Sequence, residues 1–570
     1  MSLPPRVGAK FSLLALLGAF LAATSLRADV SGTVVDDLGS PIAGATVHLQ
    51  ADPTGPSTTT NATGQFTLTV ATPGPVVVAA FVAYHRDNAI NYNTNAVDAT
   101  NPQTGLEISL ERISNLSKSP YPVPAVSAGC VFCHQEITQE WQTSTHAGAG
   151  LDFWVRDLFS GDGSPGGGNG YVFTASHDPG ETGTCATCHQ VMSDVFTPGL
   201  TMFNANSGPG VDDGVSCLGC HQIHALNNPN GTHTLGSVEY RFPVGASTER
   251  YVWGPLNDVD TAFMRASYAP FFKDSQLCAS CHQYQRPFGQ TTYDEWLASP
   301  FAVAGPNFRS CQDCHMPQRP DAGVVCNLFG APTRPAEQRH RHDFVGSTPS
   351  TLAANIGLDT EVEQVNGRVV VRSTVDNFGA GHDFPTGISI RNALLVITAT
   401  VNGQPLTQVA GPQVPAWADD DVAGQQPGDY AGAAGTGFGK ILEGRINGVG
   451  PTVWPVLFID AENVRELHKV PAGGTSTTAV EFALPNGVAP GANLHVEARL
   501  LYRRAFRALA VTKGWTQTPQ GGPIEIEVQA DTLDLEVTGA VVDVPAAGLP
   551  GLLTFTVLLA GFALIWLRRG

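Results

Sequence analysis

The sequence predicts a multidomain protein: an N-terminal β-sandwich, an irregular and mostly α-helical and loop domain, a C-terminal β-sandwich and a C-terminal transmembrane helix. Three observations support this fold class. Short runs of alternating apolar and polar residues, interrupted by Gly and Pro, occur before residue 112 and after residue 350. The stretch between them has weak periodicity and a repeated cysteine motif. Near the C-terminus, Leu552 to Leu567 is apolar and uncharged.

Length and composition agree with several domains rich in turns. A chain of 570 residues is expected to form three or four domains. Only 14% of the residues are charged, and 62 Gly and 41 Pro favour turns and short strands over long helices. The net charge of −19 argues against nucleic-acid binding, because binding to phosphates requires a basic surface.

Residues 1–28 are predicted to be a secretory signal peptide. Arg6 and Lys10 precede an apolar run from Phe11 to Ala23, and small residues follow with plausible cleavage after Ser25 or Ala28. An N-terminal membrane anchor is the alternative, although the run is short for a span. The sequence therefore predicts an exported protein.

Residues 29–112 are predicted to form the first β-sandwich, because tight turns at Gly39, Pro41, Gly44 and Gly64 separate short alternating runs. The pieces GTVVDDLGSPIAGATV and TGQFTL resemble the carboxypeptidase regulatory-like domain. This resemblance implies an accessory or spacer module without catalytic activity. A linker rich in Ser, Pro and Lys is predicted at residues 113–129.

The third predicted segment, residues 130–349, contains the motif C-x-x-C-H five times. The copies are CVFCH, CATCH, CLGCH, CASCH and CQDCH. They contain ten of the eleven cysteines, which are Cys130, Cys133, Cys185, Cys188, Cys217, Cys220, Cys278, Cys281, Cys311 and Cys314. Their histidines are His134, His189, His221, His282 and His315.

This motif is the attachment signature of c-type haem. Two thiols add to the vinyl groups of one porphyrin, and the adjacent imidazole becomes the proximal ligand of the iron. A single C-x-x-C could also be a thioredoxin-like redox pair, a zinc site or a disulfide. Five copies, each followed by His, favour five covalently attached c-type haems as cofactors and assign no catalytic residue.

The distal ligands must come from outside the motifs. Seven histidines are candidates, in falling order His146, His382, His342, His224, His340, His177 and His233. A second imidazole favours electron transfer, whereas an open distal position allows chemistry at iron. For any one candidate, a surface or hydrogen-bonded histidine is the alternative.

Local sequence ranks these candidates. His382 lies in GAGHDFPTG, a rigid loop that could project an imidazole from the C-terminal β-domain onto a haem. His340 and His342 point to opposite sides of an extended segment, so only one of them is expected to ligate a given haem. His224 follows His221 too closely to reach the far face of the same porphyrin and would have to serve a neighbouring haem.

Residues 350–540 are predicted to form the C-terminal β-sandwich, with Asn402-Gly403 as a hairpin turn. Residues 541–570 are predicted to be a transmembrane anchor, because the apolar run ends in Arg568 and Arg569, which would stay cytoplasmic. A cell-surface sorting signal, whose helix would be cleaved, is the alternative.

The stretches CVFCHQEITQEWQTSTHA, SYAPFFKDSQLCASCHQY, EWLASPFAVAGPNFRSCQDCHMP and AGHDFPTG resemble multihaem c-type cytochromes related to the tetrahaem carrier that accepts electrons from hydroxylamine oxidoreductase. The resemblance covers about residues 120–400 and implies that His146 is a distal ligand. Five motifs and flanking β-domains depart from the tetrahaem pattern, so it implies neither haem order nor partner. The sequence contains no C-x-x-C-K, the mark of the catalytic haem in many ammonia-forming nitrite reductases.

We therefore expect an exported pentahaem cytochrome that transfers single electrons between redox partners, at the periplasmic face of the inner membrane or at the cell surface. Its acidity predicts partners with a basic docking patch. The C-terminal helix would contact the membrane. One alternative is an oxidoreductase that acts on a small nitrogen or sulfur compound at a haem with an open distal site. Another is a surface adhesion or assembly module that carries haems.

Overall fold

A computed structural model describes most of the chain. The described residues are 28–113, 116–117, 129–176, 180–195, 200–204, 208–226, 238–240, 242–243, 251–260, 265–284, 288–328, 330–419 and 428–539. The segments predicted to be a signal peptide and a C-terminal anchor therefore lie almost entirely outside the described residues.

Seven strands near the N-terminus form two sheets. They are β1 (Ala28–Asp36), β2 (Thr46–Leu49), β3 (Ser57–Thr59), β4 (Gln65–Val70), β5 (Gly74–Phe81), β6 (Asn95–Asn101) and β7 (Gln103–Leu110). The first sheet has the order β4-β1-β7 and the second β3-β2-β5-β6. Strand β1 is antiparallel to β4 and parallel to β7.

The two sheets enclose one apolar core. Val30, Val47, Leu68 and Ile108 contribute to it and are at most 1% exposed. In β4, buried and exposed residues alternate strictly, as expected for a strand with one face on the core. Gly64 precedes this strand at φ +73°, and a Cβ there would lie 2.6 Å from the Val34 carbonyl oxygen. The turn therefore requires glycine.

The middle of the chain consists of short helices and short strands. The helices are α1 (Gln135–Gln142), α2 (Phe153–Ser160), α3 (Phe173–Ser176), α4 (Cys185–His189), α5 (Val191–Asp194), α6 (Pro209–Asp212), α7 (Cys217–His221), α8 (Gln276–His282), α9 (Thr292–Leu297), α10 (Cys311–His315) and α11 (Pro349–Ala353). The strands are β8 (Leu116–Ser117), β9 (Ile223–Leu226), β10 (Val238–Tyr240), β11 (Phe242–Pro243), β12 (Tyr251–Gly254) and β13 (Arg265–Tyr268).

Local capping fixes where two of the motif helices begin. Ser216 accepts a hydrogen bond from the Gly219 amide at the start of α7. Ser310 and Asp313 form a reciprocal capping box at the start of α10. Each of these helices then ends at its motif histidine, which places the imidazole at the helix terminus.

A second pair of sheets follows. Its strands are β14 (Gly357–Val365), β15 (Arg368–Asp376), β16 (Asn392–Val401), β17 (Gln404–Pro405), β18 (Thr407–Ala410), β19 (Gly435–Gly444), β20 (Ala461–His468), β21 (Thr475–Ala483), β22 (Asn493–Arg503) and β23 (Glu525–Glu536), with helix α12 (Arg507–Lys513) before β23. The sheet orders are β14-β15-β21-β18 and β20-β19-β16-β22-β23, and β17 pairs with β16.

These two sheets share a core to which Val369 and Val480 contribute from one sheet and Leu395 and Leu500 from the other. The turn between β16 and β17 is Asn402-Gly403, with φ values of +48° and +77°. Positive φ at both residues matches the twist of a two-residue hairpin, which favours Asn-Gly there.

The fold class predicted from the sequence is wrong in its transmembrane helix. None of the helices that the structure describes is long and apolar enough to cross a membrane. The longest of them, α1 and α2, have eight residues each, whereas a span needs about 20. The segment for which the helix was predicted, residues 541–570, lies outside the described residues. The description of the chain is also corrected to mostly strand and loop, because its helices are few and short.

Both β-domains pack against the middle of the chain. The Ala51 amide donates a hydrogen bond to Asp258, whose other oxygen accepts one from Arg334, at 2.7 Å in each case. On the other side, Lys469 forms an ion pair of 2.5 Å with Glu295 of α9, and Thr291 also donates to Glu295. Charged and polar contacts therefore fix the middle of the chain between the two β-domains.

The Glu295–Lys469 pair yields a stability prediction, since its two side chains are only 8% and 7% exposed. Lys469→Met would leave a buried carboxylate without its partner, and we expect it to lower the free energy of unfolding by about 3–5 kcal/mol. Arg372→Met, in the exposed pair with Glu363, serves as the control and should cost less than about 1 kcal/mol. Denaturant unfolding of the two variants checks this, and equal small losses would contradict it.

Candidate functional site

The five C-x-x-C-H motifs have similar local structures. Four lie on short helices that end at the motif histidine, namely α4, α7, α8 and α10. The first forms a 3-10 turn at Cys130–Phe132, and His134 precedes α1. In each case one tight turn brings both thiols and the imidazole to the same short segment.

All five motifs open on one connected cavity of about 2630 Å³. A pocket for one small ligand has a volume of about 300–1,000 Å³, so this cavity has room for several such groups. Aromatic residues from different parts of the chain contribute to its wall, including Trp141, Trp253, Phe272 and Trp296. A large cavity with apolar walls, thiols and imidazoles fits covalently attached haem, because the porphyrin needs apolar cover and the iron needs nitrogen ligands.

Backbone carbonyls orient three of the motif imidazoles. Nδ1 lies 2.8 Å from the Val325 oxygen in His134, 2.7 Å from the Trp253 oxygen in His221 and 2.6 Å from the Val345 oxygen in His315. A carbonyl can only accept, so Nδ1 carries the proton and Nε2 keeps its lone pair. This is the tautomer that binds a metal through Nε2.

Burial also keeps six of the cavity histidines neutral. It lowers the pKa of His146 to about 4 and the pKa of His282 and of His342 to about 3. It lowers the pKa of three further histidines, His189, His221 and His382. Neutral imidazoles retain the lone pair with which they bind iron.

Two pairs of imidazoles on the cavity wall lie close together. The ring centres of His315 and His382 are 6.3 Å apart with planes 10° from parallel. Those of His282 and His146 are 6.2 Å apart with planes at 79°. With metal–nitrogen bonds of about 2.0 Å and ring centres about 1.1 Å beyond each nitrogen, two imidazoles on opposite sides of one metal ion have centres about 6.2 Å apart. Both pairs have the spacing of two axial ligands.

The loop that carries His382 is held by the C-terminal β-domain. The Asn377 side chain donates hydrogen bonds to the carbonyl oxygens of His382 and Val470, and the backbones of Phe384 and Val470 pair with each other. Thr386, four residues after His382, donates to Glu295. The loop is therefore fixed on both sides before any ligand binds.

His340 and His342 both line the cavity. Nδ1 of His340 lies 2.7 Å from the Met316 oxygen, which leaves Nε2 with the lone pair. The neighbouring His221 adds to the effect of burial in lowering the pKa of His342, which places His342 near the third motif. Among the described residues, no second imidazole is in ring contact with His134, His189 or His221.

The structure does not bring His224 to the cavity wall. His224 lies against the N-terminal domain, with Nδ1 2.6 Å from the Tyr84 hydroxyl oxygen and Nε2 3.4 Å from a Glu239 oxygen. His177 and His233 lie outside the described residues. The cavity wall also includes one histidine that the sequence did not suggest, His48 of β2.

Thiols from different motifs are in contact. Contact with a thiol of another motif raises the pKa of Cys217, of Cys188 and of Cys278, and the partners are Cys130, Cys281 and Cys311, respectively. The eleventh cysteine, Cys326, hydrogen bonds to Cys133, and this contact adds to burial in raising the pKa of Cys133 to about 11. The attachment sites of these motifs therefore lie next to each other in space, although the motifs are far apart in sequence.

Comparison with known proteins identifies the first β-domain. The family model of the carboxypeptidase regulatory-like domain matches residues 29–110, which confirms the resemblance predicted for this part of the chain. Because the match covers a small part of the 570 residues, it describes that domain and not the whole protein.

No curated protein matches the chain. Among solved structures, the chain is similar to a penta-haem cytochrome c552 from Thermochromatium tepidum, with 20% identity over 71% of this chain and 97% of that one. The TM-score is 0.47, which does not establish a common fold.

Proposed function

We propose that this protein is an exported pentahaem c-type cytochrome that transfers single electrons between redox partners in the cell envelope. One observation carries the proposal: five C-x-x-C-H motifs open on one cavity, and thiols of different motifs are in contact. Haems attached at adjoining sites would lie close together, as electron transfer from one to the next requires.

The proposed ligands follow from the arrangement of the side chains. The ten motif cysteines would hold the porphyrins, and the five motif histidines would bind iron on the proximal side. His382 and His146 would occupy the distal positions opposite His315 and His282, at the observed spacings. A bound haem supplies a one-electron Fe(III)/Fe(II) couple. The chain orients His134, His221 and His315 through backbone carbonyls and limits access of water.

Two arginines provide positive charge beside this cavity. Arg391 and Arg504 both line it, and in the described part of the chain neither forms an ion pair with a carboxylate. Arg391 contributes to the lowered pKa of His282, and Arg504 donates to the Ser347 carbonyl oxygen. They are suited to pair with haem propionates, and a nearby cation favours the reduced, less positive state of a haem.

Partner and location are part of the same proposal. The net charge of −19 and the added propionates favour donors or acceptors with a basic patch. Covalent haem attachment and the signal-like N-terminus support a location outside the cytoplasm, at the periplasmic face of the inner membrane or at the cell surface. The relation to the tetrahaem electron carrier of hydroxylamine oxidoreductase rests on the motif resemblance described above.

One observation favours a second candidate function. Like His134 and His221, His189 has no second imidazole in ring contact among the described residues, and its ring packs edge-on against Phe203 with ring centres 5.9 Å apart. An open distal position at that haem would allow reduction or oxidation of a small nitrogen or sulfur compound.

Ligand binding to the reduced protein distinguishes these two functions. An electron carrier with histidines at all distal positions should show no spectral change when carbon monoxide or nitrite is added. An oxidoreductase should bind about one carbon monoxide molecule per chain at its open haem. A spectral change with nitrite, together with its turnover, would replace the carrier function with the enzymatic one.

A further inference from the structure

The histidines on the cavity wall form two sets of equal size. Ten of the described histidines line the cavity, and five of these belong to the motifs. The other five are His48, His146, His340, His342 and His382. The described cavity wall therefore holds five motif histidines and five further imidazoles, and one of the latter, His48, comes from the N-terminal β-domain.

The position of His48 follows from the geometry of its strand. Successive side chains of a strand point to opposite faces, and the preceding residue, Val47, lies in the sandwich core at 0% exposure. His48 therefore points out of the domain, where a polar side chain is normally exposed to water. It is nevertheless only 6% exposed, because the middle of the chain covers this face of the sheet.

Contacts around His48 show how this face is covered. Phe81, on the neighbouring strand β5, packs edge-on against both His48 and Tyr268, with ring centres 5.7 and 5.1 Å away. The Gln50 side chain donates a hydrogen bond of 2.9 Å to the Asp258 carbonyl oxygen. The N-terminal domain thus closes part of the cavity, and His48 lies on the cavity side of the contact.

Nε2 of His48 is buried and has no hydrogen-bond partner in the structure. A buried polar nitrogen without a partner is costly and calls for an explanation, such as a bound ion or water. Here the ring lines a cavity whose other histidines are arranged as metal ligands. A metal ion bound at Nε2 would satisfy this nitrogen.

We propose that His48 is a distal axial ligand to the iron of one of the three haems whose proximal histidines are His134, His189 and His221. The inference rests on the proposed function, because it needs haems in the cavity. In the proposed function His146 and His382 serve the haems of His282 and His315, so among the described residues His48, His340 and His342 are the cavity-lining imidazoles available to the other three haems. With His340 and His342, His48 completes a set of five distal ligands. The N-terminal domain then contributes directly to the redox centre.

The experiment compares His48→Gln and His48→Ala in the full-length haem-loaded chain with His85→Gln, which changes an exposed histidine of the same domain. We expect one haem in five to change from low-spin to high-spin in the ferric protein of the His48 variants. The reduced variants should bind about one carbon monoxide molecule per chain, at least about tenfold more than the wild type, and added imidazole should restore the low-spin spectrum. His85→Gln should match the wild type in both measurements.

Unchanged spin states and carbon monoxide binding in both His48 variants would overturn the inference. So would a changed reduction potential without a change of spin state, since that would indicate a hydrogen bond to a propionate instead of an iron ligand. The haem count, measured on the same samples, distinguishes a failure of the inference about His48 from a failure of the proposed function. Fewer than five haems in the wild-type chain would contradict the proposed function itself, whatever His48 does.

Discussion

His382→Ala should convert one of the five haems from six-coordinate and low-spin to five-coordinate and high-spin. His382 faces His315 at 6.3 Å between ring centres, with no other described imidazole in ring contact with His315. Loss of a neutral nitrogen donor destabilises Fe(III), so the reduction potential of this haem should rise by roughly 100 mV, within the range of about 0.8 V that axial ligation spans. Electron paramagnetic resonance and a spectroelectrochemical titration measure the two effects.

His495→Ala is the matched control for this variant. His495 belongs to the same β-domain, is 39% exposed and forms an ion pair with Asp534 away from the cavity. It should leave all five haems unchanged. If the His382 variant also left the spectra and potentials of all five haems unchanged, the C-terminal domain would not supply the ligand.

The haem-free chain should lack a folded middle region. Protein interiors are packed to a density of about 0.74, so a cavity of 2630 Å³ with apolar walls cannot stay open without its contents. We expect a full-length variant with all ten motif cysteines changed to serine to lose protection from hydrogen exchange throughout residues 130–349. The effect should be large, because the haems would provide much of the apolar core of this region.

The first β-domain provides the internal control in the same experiment. Its core residues, such as Val47 and Ile108, are fully buried within the domain and need no haem. Its strands should therefore keep slow exchange in the serine variant. A middle region that stayed protected without haem would show that its fold is independent of the cofactor, contrary to the expectation.

The local parts of the site could be predicted from sequence because local spacing determines them. Each C-x-x-C-H places its thiols and imidazole within one turn. In the structure all five motifs form such turns, and all five line the cavity. The loop around His382 was recognisable from its glycines and proline. Its partner could not be identified, because the contact with His315 joins residues far apart in the chain.

His48 could not be predicted in the same way. It precedes the first motif by a whole β-domain, and its alternating strand is typical of any sandwich. Only the packing of that domain on the middle of the chain turns an outward-facing residue into a buried one. His224 illustrates the opposite case, since the sequence made it a candidate ligand to a neighbouring haem, whereas the structure places it against Tyr84.

The weak periodicity of the middle region has a physical explanation. Amphipathic helices form where one helix face packs on a protein core. In the described part of the middle region, the helices instead surround a cavity and have eight residues or fewer. The sequence pattern therefore identified this region mainly by its motifs. In the two β-domains, alternation was informative, because one face of each strand packs on a protein core, as in β4 and β15.

The central claim is that five haems occupy the cavity and each carries one electron. A measurement of covalently bound haem per chain, combined with a reductive titration of the same sample, tests it most directly. We expect five haems and five electrons per chain. A count well below five, or thiols in the motifs that remain free to react, would contradict it.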